Sequence, residues 1–252
     1  MSASQASAAD DNQHVVQRAH VGVIVPAVNR TCETQFHNHA PKTLGVHTMR
    51  ARIAGKWARP VEELKPEIEL ATQMLAECAP DLMVYNCTSS SMKEGPEGEK
   101  RILGIMEETA GIPAISTSAA VGEAFKHFGI KSVIVVTPYQ NNNDILFYLD
   151  KIGIKVAGDV ALALDTSKYG AVTPQEWVDI AMKHDSKDAD AIFLSCAATT
   201  QIDAVAPLEA ASGKPVVNSN QAVLWASLER LRGKLGAFDP PATGGLMRTL
   251  GQ

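Results

Sequence analysis

The chain has 252 residues, of which 45% are hydrophobic and 20% charged, with a formal net charge of −5 at pH 7. That length suits one large domain or two compact α/β lobes with a sizeable core. No Lys/Arg stripe interrupts the acidic balance, which argues against nucleic acid and anionic membrane as partners but not against a small carboxylate bound by local donors.

Residues 1–20 are small, polar and mixed in charge, without the basic start and apolar middle of a secretory signal. They are expected to form a disordered lead-in to a cytoplasmic protein, and no apolar run reaches the length of a membrane span. Val21–Pro26, Leu82–Cys87, Val133–Pro138 and Ile192–Cys196 are near-continuous apolar runs ending in Pro, Cys or small polar residues, the pattern of buried parallel strands. Between them, Pro60–Cys78 and Gln175–His184 carry helical spacing, the second preceded by Pro174 with Thr173 as its cap. Asn141 or Asn142 is placed to cap a further helix. Alternation of this kind predicts an α/β fold with parallel sheets and helices on their faces.

Three pairs of segments then match in the same order. VIVPAVN (Val23–Asn29) matches VVTPYQN (Val135–Asn141), DLMVYNCTSS (Asp81–Ser90) matches DAIFLSCAAT (Asp190–Thr199), and GIPAIST (Gly111–Thr117) matches GKPVVNS (Gly213–Ser219). Three matches in register indicate an internal duplication. Two similar lobes related by a pseudo-twofold axis follow, residues 21–117 and 118–219. Residues 220–252 are read as a C-terminal helix returning to the first lobe, then a loose Gly/Pro-rich tail from about Gly233. Ligands of open α/β sheets bind beyond the carboxyl ends of the strands, so facing lobes would share one cleft.

The four cysteines lack CxxC or Cys/His zinc spacing, and no metal is expected. A lone free cysteine is most often a small buried apolar side chain. Cys87 and Cys196 differ because they end equivalent strands, which puts them on opposite walls of the cleft. Each precedes small or polar residues, Thr88-Ser89-Ser90-Ser91 and Ala197-Ala198-Thr199-Thr200, where a strand turning into a helix exposes backbone N–H groups. Such donors can hold a carboxylate without arginine and are expected to lower a thiol pKa toward neutrality. Thr88 and Ser89 add hydroxyls to the same arc. Cys78 reads as structural, and Cys32 has no cysteine counterpart in the repeat.

Asn29 and Tyr139 lie just beyond strands that end at Pro26 and Pro138 and are expected to point amide and phenol donors into the cleft. No GxxxxGK(S/T), strand-linked GxGxxG or GxSxG occurs, so nucleotide and α/β-hydrolase readings lose support. Two thiols without a cofactor motif suit proton abstraction beside a carboxylate or reversible addition to an activated alkene.

From Val21 to about Leu231 the chain resembles the aspartate/glutamate racemase superfamily, and within it the branch of maleate cis-trans isomerases and arylmalonate decarboxylases. The likeness rests on VGVIVPAVNRTCET, YNCTSSS, VVTPY, LSCAATTQIDAVAPLE and GKPVVNSNQAVLW. It implies a buried interlobe pocket, no cofactor, a small carboxylate substrate and a homo-oligomer. By the resemblance Cys87 and Cys196 are the catalytic pair, with Asn29, Thr88, Ser89, Tyr139, Ala197 and Ala198 binding substrate. Arylmalonate decarboxylases carry glycine where Cys87 stands, so two cysteines count against that activity. Amino-acid racemases read CNT and CTH at the two sites, unlike CTSS and CAAT here. Maleate isomerases often have a substrate-binding Asn where Thr166 aligns. The leading expectation is a cis-trans isomerase of a small dicarboxylate. The alternatives are a racemase or epimerase beside a carboxylate, a decarboxylase-like enzyme, and a non-catalytic dicarboxylate binder.

Overall fold

The computed structural model describes residues 16–251. The first half runs β1 (Ala19–Pro26), α1 (Cys32–His39), β2 (Leu44–Ala51), α2 (Val61–Ala76), β3 (Leu82–Tyr85), α3 (Thr88–Met92), α4 (Gly95–Ala110), β4 (Ala114–Ser116) and α5 (Thr117–Phe128). The second runs β5 (Ser132–Thr137), α6 (Asn143–Lys151), β6 (Lys155–Ala161), α7 (Pro174–Lys183), β7 (Ala191–Leu194), α8 (Val205–Ser212), β8 (Val216–Asn218) and α9 (Ser219–Leu235), followed by α10 (Gly245–Arg248). Each half forms a four-stranded parallel sheet with the same order, β2-β1-β3-β4 and β6-β5-β7-β8.

Alternation along the central strands separates the cores. Val21, Val23 and Val25 of β1 and Val133 and Val135 of β5 face one core shared by the two lobes. Ile24 turns to the opposite face, against α2 and α4, while Ile134 and Val136 turn toward α7 and α8. Burying each such side chain contributes about 1.5–3 kcal/mol. The shared core is filled by α5 and α9, which follow the fourth strand of their sheets and pack on each other. From Ser219 to Leu228 every residue of α9 is buried, as suits a helix wedged between lobes. Its start is held by Asn218, whose side chain accepts from Asn220 N and Gln221 N, while Ser116 caps α5 at the matching position. The third sequence match thus marks an equivalent strand-to-helix turn.

Thr173 caps α7 in a full capping box with Glu176. Asn142 occupies the cap position of α6 but spends its side chain elsewhere, accepting from Thr137 Oγ1 at 2.6 Å and donating to Asp159 at 2.9 Å. Asn141 Oδ1 instead accepts from Asn143 N at 3.1 Å.

Three expectations change. Most of the expected lead-in lies outside the described residues, but β1 begins within it, at Ala19, which pairs with Leu44 and is buried. The expected loose tail is folded: α9 continues to Leu235, and Leu246, Met247 and Leu250 are buried against the shared core. Polar ties hold that segment, with Glu209 accepting from Gly245 N at 3.0 and 2.8 Å and Trp225 donating to Thr249 Oγ1 at 3.2 Å. Gly244 joins it at φ +89°, where a Cβ would lie 2.5 Å from Val205 Cγ1. Cys78, read as structural, is exposed in the turn after α2. No helix among the described residues is long and apolar enough to cross a membrane.

Candidate active site

The strand ends of both sheets converge on a cavity of about 240 Å³, and all eight expected site residues line it: Asn29, Cys87, Thr88, Ser89, Tyr139, Cys196, Ala197 and Ala198. This is below the range of about 300–1,000 Å³ typical of sites for drug-sized ligands and suits a small substrate. Among the described residues no Lys, Arg or His lines the cavity and one acid, Asp144, does, its carboxyl pushed up by burial, so a bound anion would be held by neutral N–H and O–H groups.

Cys87 is the N-cap residue of α3, two residues past the end of β3. The first hydrogen bond of that turn is Ser91 N to Cys87 O at 3.0 Å, which leaves the N–H groups of Thr88, Ser89 and Ser90 outside the helix ladder. Ser90 N–H supports the thiol, and Ser89 Oγ stands 3.9 Å from Sγ. Thr88 Oγ1 donates to Ser219 Oγ at 2.9 Å, tying the loop to α9. Cys196 holds the equivalent place after β7, where Ala198 N–H donates to Sγ at 3.3 Å. The Tyr139 hydroxyl also favours the thiolate form of Cys196.

The expected drop in thiol pKa does not occur. Burial pushes Cys87 up to about 11 and outweighs the opposing Ser90 N–H and Ser89 hydroxyl. Burial pushes Cys196 up to about 12 against the Tyr139 and Ala198 donors, and a charge on Cys87 raises it further. Both thiols are 3% exposed, and desolvating a thiolate costs more than two or three weak donors return. The two sulfurs are therefore neutral at pH 7 and close enough that ionising Cys87 opposes ionising Cys196.

Asn29 lines the cavity but serves two other groups as well. Its Oδ1 accepts from Thr31 N and Cys32 N at 3.0 Å each, capping α1, and its Nδ2 donates to Ala197 O of the other lobe at 2.8 Å. One amide hydrogen remains for a ligand. Tyr139 is accompanied by Tyr169, their ring centroids 5.9 Å apart. Burial, with the Cys196 and Asp165 charges adding to it, pushes the Tyr169 phenol up to about 12, so it remains a donor. Tyr169 and Thr166, from the short 3₁₀ helix Thr166–Ala171, both line the cavity, as do Gln140, Asn141 and Ile145. Sequence reasoning marked Thr166 only by alignment and missed Tyr169. An aromatic residue in LDTSKYG, beside the matched loops, was the available signal.

Cys32 is buried beneath the cavity, not on its wall. It accepts from Asn86 Nδ2 at 2.9 Å, and burial pushes its thiol up to about 12.

Two repeated parallel lobes closing on a pair of thiols define a racemase-like, two-cysteine α/β protein. The family model for arylmalonate decarboxylase matches residues 34–240, and the chain belongs to that family. A maleate isomerase from Alcaligenes faecalis is 23% identical over 230 residues, covering 84% of this chain and 89% of the relative. A solved maleate isomerase variant from Pseudomonas putida S16 with maleate is 26% identical, covering 91% of this chain and 97% of its own at a TM-score of 0.77. A maleate cis-trans isomerase mutant from Nocardia farcinica, solved with a covalently bound succinylcysteine intermediate, is 21% identical, with coverages of 92% and 98% and a TM-score of 0.80.

Proposed function

We propose that this protein is a cofactor-independent cis-trans isomerase of a small dicarboxylate of the maleate type, with Cys87 and Cys196 as its catalytic pair. The observation that carries the proposal is the convergence of both thiols on one small cavity rich in neutral N–H and O–H donors, with Asp144 its one charged lining residue among those described. The Nocardia relative carries succinate on a cysteine, and that species is what thiol addition to maleate yields.

In the proposed reaction the Cys87 thiolate adds to one alkene carbon, and the electron pair moves onto the neighbouring carbon and its carboxylate. Cys196 delivers a proton to that carbon, giving a succinyl thioether. Rotation about the new single bond follows. Cys196 then takes the proton back, the C–S bond breaks, and fumarate leaves with Cys87 again a thiolate. Addition splits a high rotational barrier into smaller steps. Both thiols are raised by burial and a charge on one opposes a charge on the other, so the pair holds one thiolate and one protonated thiol, as the division of labour requires. The backbone N–H groups of Thr88 and Ser89, the Ser89 hydroxyl, Tyr139 and the spare hydrogen of Asn29 would bind the carboxylates beside Ala197 and Ala198, while the Ala198 N–H stays on Cys196 Sγ.

A racemase would use the same two thiols as proton acceptor and donor on opposite faces of one carbon. Incubation in deuterated water, followed by NMR, separates the two readings when maleate and a chiral dicarboxylate such as aspartate are each supplied. Fumarate from maleate supports isomerisation; deuterium gained at the α-carbon of the chiral substrate, with maleate unchanged, supports racemase chemistry. Family membership also supports a homo-oligomer, which light scattering on the purified chain reads directly.

A further inference from the structure

Beneath the cavity lies a chain of buried side-chain amides that the proposed reaction does not use. Asn86, the residue before Cys87, donates through Nδ2 to Oδ1 of Asn220 at 2.9 Å, and its own Oδ1 accepts from Thr117 Oγ1 at 3.0 Å. The Ala197 carbonyl, which can only accept, requires Nδ2 of Asn220 on its side, so Asn220 Oδ1 faces Asn86 and takes the Asn86 Nδ2 hydrogen, while Thr117 Oγ1 lies within reach of both Asn86 Oδ1 and Tyr85 O. With its oxygen committed, Asn220 directs Nδ2 at Gln35 Oε1 and at Ala197 O, the latter 3.1 Å away. Gln35 in turn donates to Thr199 O in the same loop. Asn86, Asn220 and Gln35 are all buried, so none of these bonds is weakened by competition from solvent.

The Ala197 carbonyl consequently accepts two amide donors, Asn220 Nδ2 and Asn29 Nδ2. In a planar trans peptide the carbonyl and the following N–H point in opposite directions. Drawing the Ala197 oxygen inward therefore turns the Ala198 N–H outward, onto Cys196 Sγ. The first lobe lacks this device: Thr88, the counterpart of Ala197, gives its carbonyl to the local hydroxyl of Ser91 at 3.1 Å, and Ser118 stands where Asn220 does.

We infer that Asn220 is a positioning residue for Cys196: its amide, bonded to Asn86, clamps the Ala197 carbonyl so that the Ala198 N–H supports the sulfur that handles the proton. Asn86 adjoins Cys87, so the Asn86–Asn220 bond also links the loops of the two thiols and sets one against the other. The inference rests on the two-thiol reading for its kinetic consequence, but its structural half is read without turnover.

The test is site-resolved alkylation of the full-length protein by iodoacetamide at pH 9, with Cys87 and Cys196 quantified by peptide mass spectrometry. In Asn220→Asp and Asn220→Ala the Cys196 rate is expected to fall about tenfold, the scale of one lost hydrogen bond to a charged group, with Cys87 within about twofold of wild type. With maleate as substrate, kcat should drop by a similar factor and KM change much less. A merely structural role would lower the melting temperature and leave the Cys196 to Cys87 ratio unchanged, and that result in a folded variant overturns the inference. If neither variant folds, Asn29→Ala removes the other amide donor to the same carbonyl, leaving only the longer Thr31 hydroxyl contact at 3.4 Å, and must give the same selective loss at Cys196; an unchanged ratio there overturns it equally. Should wild type not turn over maleate, the isomerase reading fails, while the alkylation ratio still decides the role of Asn220.

Discussion

The pH dependence of turnover is the sharpest consequence of burying both thiols. Cys87 rises from an ordinary 9.0 to about 11, a shift worth about 3 kcal/mol against the thiolate. At pH 8 about one Cys87 in a thousand is then ionised, and each further unit up to pH 10 multiplies that fraction by about ten. Cys196, at about 12, keeps its proton across the same range, so loss of the acid introduces no falling limb. The expected profile of log kcat/KM for maleate rises with a slope near one from pH 7 to pH 10. Initial rates of fumarate formation in buffers of constant ionic strength measure it. A plateau reached below pH 8, or a bell with its falling limb there, would refute the argument that burial outweighs the Ser90 and Ser89 donors.

Other consequences follow from single groups. Cys87→Ser and Cys196→Ser should each lower kcat by about a thousandfold or more while the melting temperature moves only a few degrees, since a hydroxyl keeps the shape but neither adds nor returns the proton as a thiol does; retained turnover in both would sink the pair. Thr166→Asn adds an amide donor to the cavity wall and should lower KM for maleate, and a KM that rises instead would count against a carboxylate near that wall. The folded pKa values of Cys32, Cys87 and Cys196 all lie above 9.0, so their stabilising share is whole below pH 9 and is lost as pH climbs through 11 to 12, at about 1.4 kcal/mol per unit for each thiol. Urea unfolding at pH 8 and pH 10 reads this, and Cys87→Ser should flatten the decline. Thr173→Ala breaks the capping box of α7 and should cost about 1 kcal/mol in the same assay at pH 8.

The strands legible in the sequence were β1, β3, β5 and β7, which are the two central strands of each sheet. Covered on both faces, they read as unbroken apolar runs. Their edge neighbours β2 and β6 include His47, Arg50, Lys155 and Asp159 and leave one side to solvent, so their runs carry no such signal. The inner-edge strands β4 and β8 are three residues each, too short to show a period, and came into view only through the repeat. Matching the halves also brought Cys87 and Cys196 together, because equivalent strand ends of a duplicated fold face one cleft. What stayed hidden depends on distance along the chain. Asn86 meets Asn220 across 134 positions and Gln35 meets Asn220 across 185, and no local pattern announces such partners. The thiol pKa values were misjudged for a related reason: the N–H donors are local and visible in the sequence, while the burial that overrides them is assembled from both lobes.

The most direct test of two-thiol addition is trapping. Cys196→Ser incubated with maleate and examined by intact mass and peptide mapping should carry one succinyl adduct, on Cys87, and release little fumarate. An adduct on neither cysteine in folded protein, or one formed on Cys196 in Cys87→Ser but absent from Cys87 in Cys196→Ser, would contradict it.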